Sequence, residues 1–257
     1  MEERTDQHQS SFSRGLDVLI AITRSGQATI AEIAEELAIP QSTVYRYVRT
    51  LRRYALIEEA QGAYLSGWRL MDLAGQHLPH TRLVEVGTSY LQELTRLTSE
   101  TSVIAVRAGS QGLCLRQVVS PHPERHTFCV NQLLPLHAGA GQRLLLAHAP
   151  KPIVELVMTR LTSYSANTPG REELPSLLAQ ARRTGFAVSE SEFQPGAVAV
   201  SVPVVTHGEV ACSLTLAGPT SRCASERWKL RALRLLRTAA TDLGHDLDLD
   251  LDKISDD

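Results

Sequence analysis

Residues 29–53 read TIAEIAEELAIPQSTVYRYVRTLRR, and this stretch decides the fold of the first part of the chain. Thr29 followed by Glu32 three residues later is a capping box, which predicts that a helix starts there. Apolar residues continue that helix at helical spacing. Pro40 disfavours a helical conformation in the residue before it, so the chain must turn. A new helix is predicted from Gln41 to the end of the stretch, which makes it a helix-turn-helix.

The elements on either side complete a winged helix-turn-helix. Apolar residues recur at helical spacing from Ser13 and stop at Ser25-Gly26, which predicts a preceding helix. Residues 56–66 contain two short apolar stretches around a polar turn, a pattern typical of a small β-hairpin. We therefore predict a winged helix-turn-helix over residues 12–66, after a disordered arm over residues 1–11.

The second helix of the pair carries DNA-reading groups on one face. Val44, Val48 and Leu51 share the opposite face, which must be buried for so short a unit to fold. The outward residues have hydroxyl, aromatic and guanidinium groups, which suit a recognition helix in the major groove. The N-terminal residues of such a helix contact base edges, and here they are Gln41, Ser42, Thr43, Tyr45 and Arg46.

The remaining candidates face the DNA backbone. Arg49 and Arg53 are predicted to meet phosphates, and Thr50 shares their face. Arg14, near the start of the first helix, is a further candidate for a backbone contact. The hairpin has two glutamates and no lysine or arginine, which argues against a strong contact between the wing and phosphate.

Charge is distributed unevenly along the chain. The net charge is −2, yet residues 37–57 hold four arginines and no Asp or Glu, whereas residues 246–257 hold six Asp and one Lys. A local basic patch is the electrostatic footprint of a DNA-binding protein. Two alternatives stay open: a solvated basic helix face, and an interaction module whose arginines bind an acidic protein.

Composition indicates a globular protein with two domains. Its 257 residues are 43% hydrophobic and 21% charged, close to the average for soluble globular proteins. No apolar run reaches the roughly 20 residues that span a bilayer, and the N-terminus is not signal-like, so a cytoplasmic protein without membrane contact is expected. The four cysteines lack the spacing of zinc or redox sites, so neither a metal nor a cofactor is expected.

An enzyme is the main rival to a DNA-binding protein, because an α/β domain with a pocket can host chemistry. The sequence contains no Gly-x-Ser-x-Gly elbow, phosphate-binding loop or His-Glu-x-x-His motif. His122 and His126 flank a proline-containing turn, which is a weak metal pattern. We therefore predict no catalytic residues and no enzymatic activity.

The rest of the chain is predicted to form a connecting helix over residues 67–79, a second domain over residues 80–247 and a disordered acidic tail over residues 248–257. In the second domain strands precede and follow a block of helices, which predicts a mixed α/β or an α+β fold. The predicted strands are 103–107, 113–119, 126–133, 186–189, 197–205 and 209–217. The predicted helices are 81–97, 141–148, 152–161, 172–184 and 225–247.

Six segments give the chain a resemblance to a known family: SRGLDVL at 13–19, IPQSTVYR at 39–46, YLSG at 64–67, LPLHA at 134–138, GAVAVSVP at 196–203 and LAGP at 216–219. In their order and spacing, over about residues 12–247, the chain resembles the IclR family of bacterial transcription regulators. The resemblance implies a linker helix and a C-terminal α/β, GAF-like domain that binds a small-molecule effector. It also implies a homodimer or tetramer on a pseudo-palindromic DNA operator, and we expect a repressor.

The effector site is predicted around residues 137–141, HAGAG, because small residues at a helix start leave N–H groups open to an anion such as a carboxylate. The resemblance matches effector contacts to Ala140, Gly141, Ser189, Ala199, Thr215 and Ala217. Relatives that bind small keto acids show Asp, Cys, Ser and Ser at the last four positions, so the pocket here is less polar. We expect an effector larger or more apolar than glyoxylate or pyruvate, such as an aromatic or medium-chain acid.

Glu192 and His137 are two further effector-binding candidates, and each has an alternative interpretation. Glu192 either accepts hydrogen bonds from ligand hydroxyls or lies in a solvated loop. His137 either contacts the ligand or is a structural histidine after the Leu-Pro-Leu turn.

Overall fold

The computed structural model describes residues 11–60, 62–67, 69–70 and 78–255. The chain divides into two compact units, residues 1–79 and residues 80–257. Most of the predicted arm (1–11) and most of the predicted connecting helix (67–79) lie outside the described residues.

The N-terminal unit is a winged helix-turn-helix, as predicted. In chain order its elements are α1 (Ser11–Ser25), β1 (Gln27–Ala28), α2 (Ile30–Glu36), α3 (Gln41–Arg53), β2 (Ile57–Ala60) and β3 (Ala63–Ser66). The strands form an antiparallel sheet in the order β1-β3-β2. Strand β1 was not predicted, because two residues are too short to show an alternating pattern. The helices pack around the fully buried Val18, Ile22, Ile33 and Val44.

Local hydrogen bonds fix both ends of α2. At its start, the Thr29 N–H donates to the Glu32 carboxylate over 2.7 Å and the Glu32 N–H donates to Thr29 Oγ1 over 3.3 Å, which confirms the capping box. At its end, Ala38 has a φ of +53° and the Ile39 N–H donates to the Ala34 carbonyl over 3.1 Å, as in a Schellman motif. These bonds define the turn before α3.

The C-terminal unit is built on a six-stranded antiparallel sheet with the strand order β6-β5-β4-β9-β8-β7. This combination of one sheet with helices confirms the predicted mixed α/β class of fold, and every strand pair in the sheet is antiparallel. In chain order its elements are α4 (Leu78–Thr98), β4 (Thr101–Ala108), β5 (Gln111–Val118), β6 (Leu133–Pro135), α5 (Ala140–Ala147), α6 (Lys151–Thr159), α7 (Leu174–Thr184), β7 (Ala187–Glu190), β8 (Ala197–Thr206), β9 (Glu209–Pro219), α8 (Thr220–Cys223) and α9 (Glu226–Ser255).

Helices cover both faces of this sheet. Along β8, Val200, Val202 and Val204 belong to the core that contains residues of α4 and α9. Ala199, which points the other way, packs with the core that contains residues of α5, α6 and α7. Because successive side chains of a strand alternate between faces, the odd-numbered residues of segments 197–201 of β8 and 213–217 of β9 lie on the α5 side. That side carries the candidate effector pocket.

Residues 126–132 form a loop, so the strand predicted over 126–133 is wrong except for its last residue. Side-chain hydrogen bonds hold the first part of this loop, and backbone hydrogen bonds join Asn131 and Gln132 at its end to Cys114 of β5. Thr101 Oγ1 donates to the His126 carbonyl over 2.7 Å, and the Phe128 N–H donates to the Gln117 side chain over 3.0 Å. Asn131 has a φ of +65°, which a regular strand does not allow.

Helix α9 runs to Ser255, so residues 248–255 of the predicted acidic tail are helical, while residues 256–257 lie outside the described residues. Leu247 is buried, and Asp248 Oδ1 accepts a hydrogen bond from the His207 N–H over 3.2 Å. These contacts anchor the start of the acidic segment on the sheet, and α9 therefore continues past residue 247.

Candidate DNA-binding surface and candidate effector pocket

The outer face of α3 carries the side chains predicted to bind DNA. Val44, Val48 and Leu51 are buried, as the periodicity predicted. The exposed residues of the helix among the candidates are Gln41, Ser42, Tyr45, Arg46, Arg49, Thr50 and Arg53. Thr43 is half-buried. Arg14 is exposed on α1, and its charge acts on the α3 residue Tyr47, which places it beside this surface.

Tyr47 lies behind this surface, and the sequence did not predict its part in it. Its ring is buried, its hydroxyl lies 3.1 Å from Ser11 Oγ, and Arg46 Nη2 donates to that hydroxyl over 3.2 Å. These hydrogen bonds, first the one with Ser11, lower the pKa of Tyr47. The Arg46 guanidinium carbon also lies 5.0 Å from the centre of the tyrosine ring, within range of a cation–π contact. Tyr47 therefore orients Arg46.

Arg52 of α3 contacts the hairpin and was not among the residues predicted to bind DNA. It forms an ion pair with Glu59 of β2. This pair neutralises one of the two glutamates in the wing.

A pocket lies on the α5 side of the sheet in the C-terminal unit. Its floor is formed by alternate residues of three strands, Val103 and Ala105 of β4, Ala197 and Ala199 of β8, and Thr215 and Ala217 of β9. Its walls are formed by the start of α5, by Ser189 and by His126, Phe128, Glu192, Phe193 and Gln194. The cavity volume is about 40 Å³, which is room for two or three water molecules.

The start of α5 already has internal hydrogen-bond acceptors. The Gly139 N–H donates to Glu192 Oε2 over 2.9 Å, and the Ala140 N–H donates to Ser189 Oγ over 3.0 Å. Gly139 has a φ of +96°, a conformation that favours glycine. Two of the amide groups predicted to be open to an anion are therefore occupied by side chains of the same chain.

Glu192 forms a buried ion pair with Arg143 of α5. The two side chains are 9% and 4% exposed, so neither charge is well hydrated. Burial raises the pKa of Glu192, and Arg143 together with the Gly139 N–H partly offsets this rise. Arg143 Nη2 also donates to the Val188 carbonyl over 2.5 Å, which fixes α5 to β7.

All but one of the predicted effector-binding residues line this pocket. The residues found there are Ala140, Gly141, Ser189, Glu192, Ala199, Thr215 and Ala217. His137 does not line it but lies at a separate pocket together with Thr162 and Tyr164. It is buried, its Nε2 lies 2.8 Å from the Thr162 carbonyl oxygen, and its ring lies 5.8 Å from that of Tyr164.

Several pocket residues were not predicted. His126 Nε2 lies 3.1 Å from the Gly196 carbonyl oxygen and its Nδ1 lies 3.3 Å from Gln194 Oε1, so it ties two loops together at the pocket. Phe128 and Phe193 add aromatic surface. Arg143 lies behind Glu192 and does not line the pocket, and it had one signal in the sequence, since it is the only charged residue among the eight of α5.

The described residues contain neither a membrane-spanning helix nor a cluster of metal ligands. No helix among them is both long enough and apolar enough to cross a bilayer. No group of three or more His, Cys, Asp or Glu side chains in the same part of the chain is placed to hold a metal ion.

Comparison with known proteins gives two family matches that together cover most of the chain. Residues 11–60 match the IclR helix-turn-helix domain, and residues 75–245 match the bacterial transcriptional regulator IclR C-terminal domain. The repressor AllR of Escherichia coli K12 is 25% identical over 250 residues, which are 93% of this chain and 90% of AllR. The regulator BhcR of Paracoccus denitrificans is 29% identical over 227 residues, which are 84% of this chain and 80% of BhcR.

Solved structures agree with these matches. An IclR homologue from Microbacterium hydrocarbonoxydans, complexed with 4-hydroxybenzoate, is 26% identical and superimposes with a TM-score of 0.74 over 93% of this chain and 99% of that one. The IclR of Thermotoga maritima has the same fold, with a TM-score of 0.67 at 19% identity over 94% of this chain. These relatives are transcription regulators and not enzymes. The chain belongs to the IclR family and is a DNA-binding transcription regulator with an effector-binding domain.

Proposed function

We propose that this chain represses transcription from a pseudo-palindromic operator, which it binds in the cytoplasm as a homodimer or tetramer. The observation that carries the proposal is the outer face of α3, where hydroxyl groups and arginines stand exposed within a domain of the IclR helix-turn-helix type. The name of the relative AllR, a repressor, supports this mode of action.

On this surface the candidates divide by chemistry. Gln41, Ser42, Thr43, Tyr45 and Arg46 lie in the first half of α3, the part of a recognition helix that reads base edges. Arg49, Thr50, Arg53 and Arg14 then contact the phosphate backbone, which positions the helix without reading sequence. All of these residues except Arg14, which lies on α1, belong to α3 and therefore keep one register on the duplex.

A carboxylate with an aromatic or medium-length apolar body is the effector that the chemistry of the pocket lining favours. Alanine side chains, Val103, Phe128 and Phe193 give the pocket an apolar lining, while the α5 start and Arg143 supply donors beside it. The relative complexed with 4-hydroxybenzoate makes that compound the first candidate. Binding of the effector changes operator affinity if the ligand binds the DNA-competent and incompetent states unequally.

A mobility-shift titration against the intergenic DNA upstream of the protein's own gene tests the DNA part of the proposal. Excess random duplex is present and salt is varied. We expect a specific shift that weakens steeply with salt, because phosphate contacts release counterions. The control variant Arg183→Ala, an exposed arginine in α7, should bind as the wild type does. A shift that random duplex removes equally well, with no site selected from a random-sequence pool, would contradict the proposal.

Calorimetry with 4-hydroxybenzoate, glyoxylate and pyruvate tests the effector part. We expect binding of the aromatic acid and a change in the operator shift at the same concentrations. Tight binding of glyoxylate or pyruvate, with none of the bulkier acid, would show that the effector class is wrong.

A further inference from the structure

Glu192 occupies the position where an anionic ligand would be held. One oxygen of its carboxylate pairs with Arg143 and the other accepts the Gly139 N–H. Gly139 is the residue just before α5 and Arg143 lies within it, and the N-terminal end of a helix favours negative charge. The pocket therefore contains a carboxylate that comes from the protein itself.

Arg143 has more donor capacity than Glu192 uses. Its Nη1 donates to Glu192 and its Nη2 to the Val188 carbonyl, while its Nε is buried and has no hydrogen-bond partner among the described residues. Buried donors in proteins are nearly always paired, so an unpaired one needs an explanation. A carboxylate that binds a guanidinium side-on can use two of its N–H groups at once.

The size of the pocket gives an independent argument. A cavity of about 40 Å³ is far below the roughly 300–1,000 Å³ of pockets that bind drug-sized ligands. The segment after β7 contributes Glu192, Phe193 and Gln194 to its walls. Ser191 and Gly196, at the two ends of this segment, have φ values of +55° and +74°. An effector of the proposed size requires this segment to move.

We infer that the effector carboxylate binds by exchange: it displaces the Glu192 carboxylate from the Gly139 N–H and from Arg143, which becomes the counter-ion of the ligand. This inference rests on the proposed binding of a carboxylate effector in this pocket. The exchange leaves the buried charge unchanged, and the displaced Glu192 regains water. Because one carboxylate replaces another, selectivity comes from the apolar body of the ligand against Phe128 and Phe193.

The exchange also has a structural consequence outside the pocket. Thr168 Oγ1 donates to the Glu192 carbonyl over 2.7 Å, and Asn167 Nδ2 donates to the Glu190 carbonyl over 3.0 Å. Tyr164 packs edge-on against Phe193 with the ring centres 5.0 Å apart. Movement of the Glu192 segment therefore breaks or shifts the contacts that hold residues 164–168. Ligand binding in the pocket thus changes the structure of a surface loop of this unit.

The test uses acetate as the probe, on the full-length protein. Glu192→Ala leaves a hole of carboxylate size beside Arg143. We expect sodium acetate to raise the Tm of this variant by about 2–4 °C over sodium chloride at the same ionic strength. The wild type should respond much less, because Glu192 fills the site. The matched control is Glu209→Ala, which removes an exposed carboxylate of β9 outside the pocket and should gain nothing from acetate.

Two further variants test whether acetate acts by binding to Arg143 or by stabilising the protein non-specifically. Glu192→Ala combined with Arg143→Met removes the counter-ion, so the acetate effect should disappear. If Glu192→Ala does not fold, Glu192→Gln keeps the side-chain volume and should bind 4-hydroxybenzoate about tenfold more tightly than wild type, because the internal competitor has lost its charge.

The outcomes distinguish this inference from the proposed function. Equal acetate effects in all variants, or an unchanged 4-hydroxybenzoate affinity in Glu192→Gln, would overturn the exchange even if wild type responds to that acid. Rescue of Glu192→Ala by acetate, with no wild-type response to any tested acid, would support the exchange site and refute the effector class.

Discussion

Arg46 and Arg49 lie about one turn apart on α3 but stand in different surroundings. Arg46 donates to the Tyr47 hydroxyl and lies over its ring, whereas Arg49 is exposed farther along the helix. A guanidinium held near the start of the helix suits the reading of a base, because bidentate recognition needs a fixed geometry. An exposed guanidinium suits a phosphate.

We expect Arg49→Ala to weaken binding to all DNA sequences and to reduce the slope of log affinity against log salt by about 1. Arg46→Ala should cost about 1–3 kcal/mol and should also relax the preference at one base position. Mobility shifts on operator variants at several salt concentrations measure both effects. A uniform loss from both substitutions would refute this division of roles.

Tyr47→Phe tests whether the tyrosine hydroxyl orients Arg46. The ring stays in the core, so the free energy of unfolding should change by about 1 kcal/mol or less, whereas sequence discrimination at the Arg46 position should decrease. Urea unfolding and operator-variant shifts give the two numbers. Unchanged discrimination would mean that the hydroxyl serves only the contact with Ser11.

At the scale of elements, α5 lies close to the sheet because Gly141 has no side chain. A Cβ atom there would lie 2.7 Å from Thr215 Oγ1 and 3.1 Å from Ser213 Oγ. Those hydroxyls are themselves bonded, Thr215 to Ser201 Oγ over 2.9 Å and Ser213 to the Ala105 carbonyl over 3.3 Å. These two side chains therefore cannot easily move away to make room for a larger residue at position 141.

Gly141→Ala should destabilise the protein by about 1–3 kcal/mol through overpacking, and should reduce effector binding because α5 is pushed away from β9. Gly170→Ala is the matched control, since a Cβ there meets no atom within 4 Å. It should change the free energy of unfolding by no more than about 0.5 kcal/mol. Urea unfolding of the three proteins measures this, and equal stability for both variants would contradict the close approach of α5.

At the scale of the whole molecule, the small size of the α3 surface requires that two chains bind a symmetric operator together. One recognition helix contacts few base pairs, so specificity for an operator requires two copies on related half-sites. In the proposed dimer or tetramer, the spacing of those half-sites follows the helical repeat of DNA.

An operator with about 5 bp inserted between its half-sites should therefore lose most of its affinity, because one half-site turns to the opposite side of the duplex. Inserting about 10 bp should restore part of it. Sedimentation of the protein with each duplex gives the number of chains bound. Equal affinity for all three spacings would indicate that a single chain binds.

The sequence by itself determined the helix-turn-helix and the exposed face of α3, because a capping box, a proline and helical periodicity depend on neighbours a few residues apart. Resemblance to a family added most of the pocket positions. Only the tertiary structure decided that Glu192 fills the start of α5 and that His137 stands outside the pocket. Glu192 and Arg143 are 49 positions apart, and no local pattern records which distant side chains meet when a sheet and its helices pack.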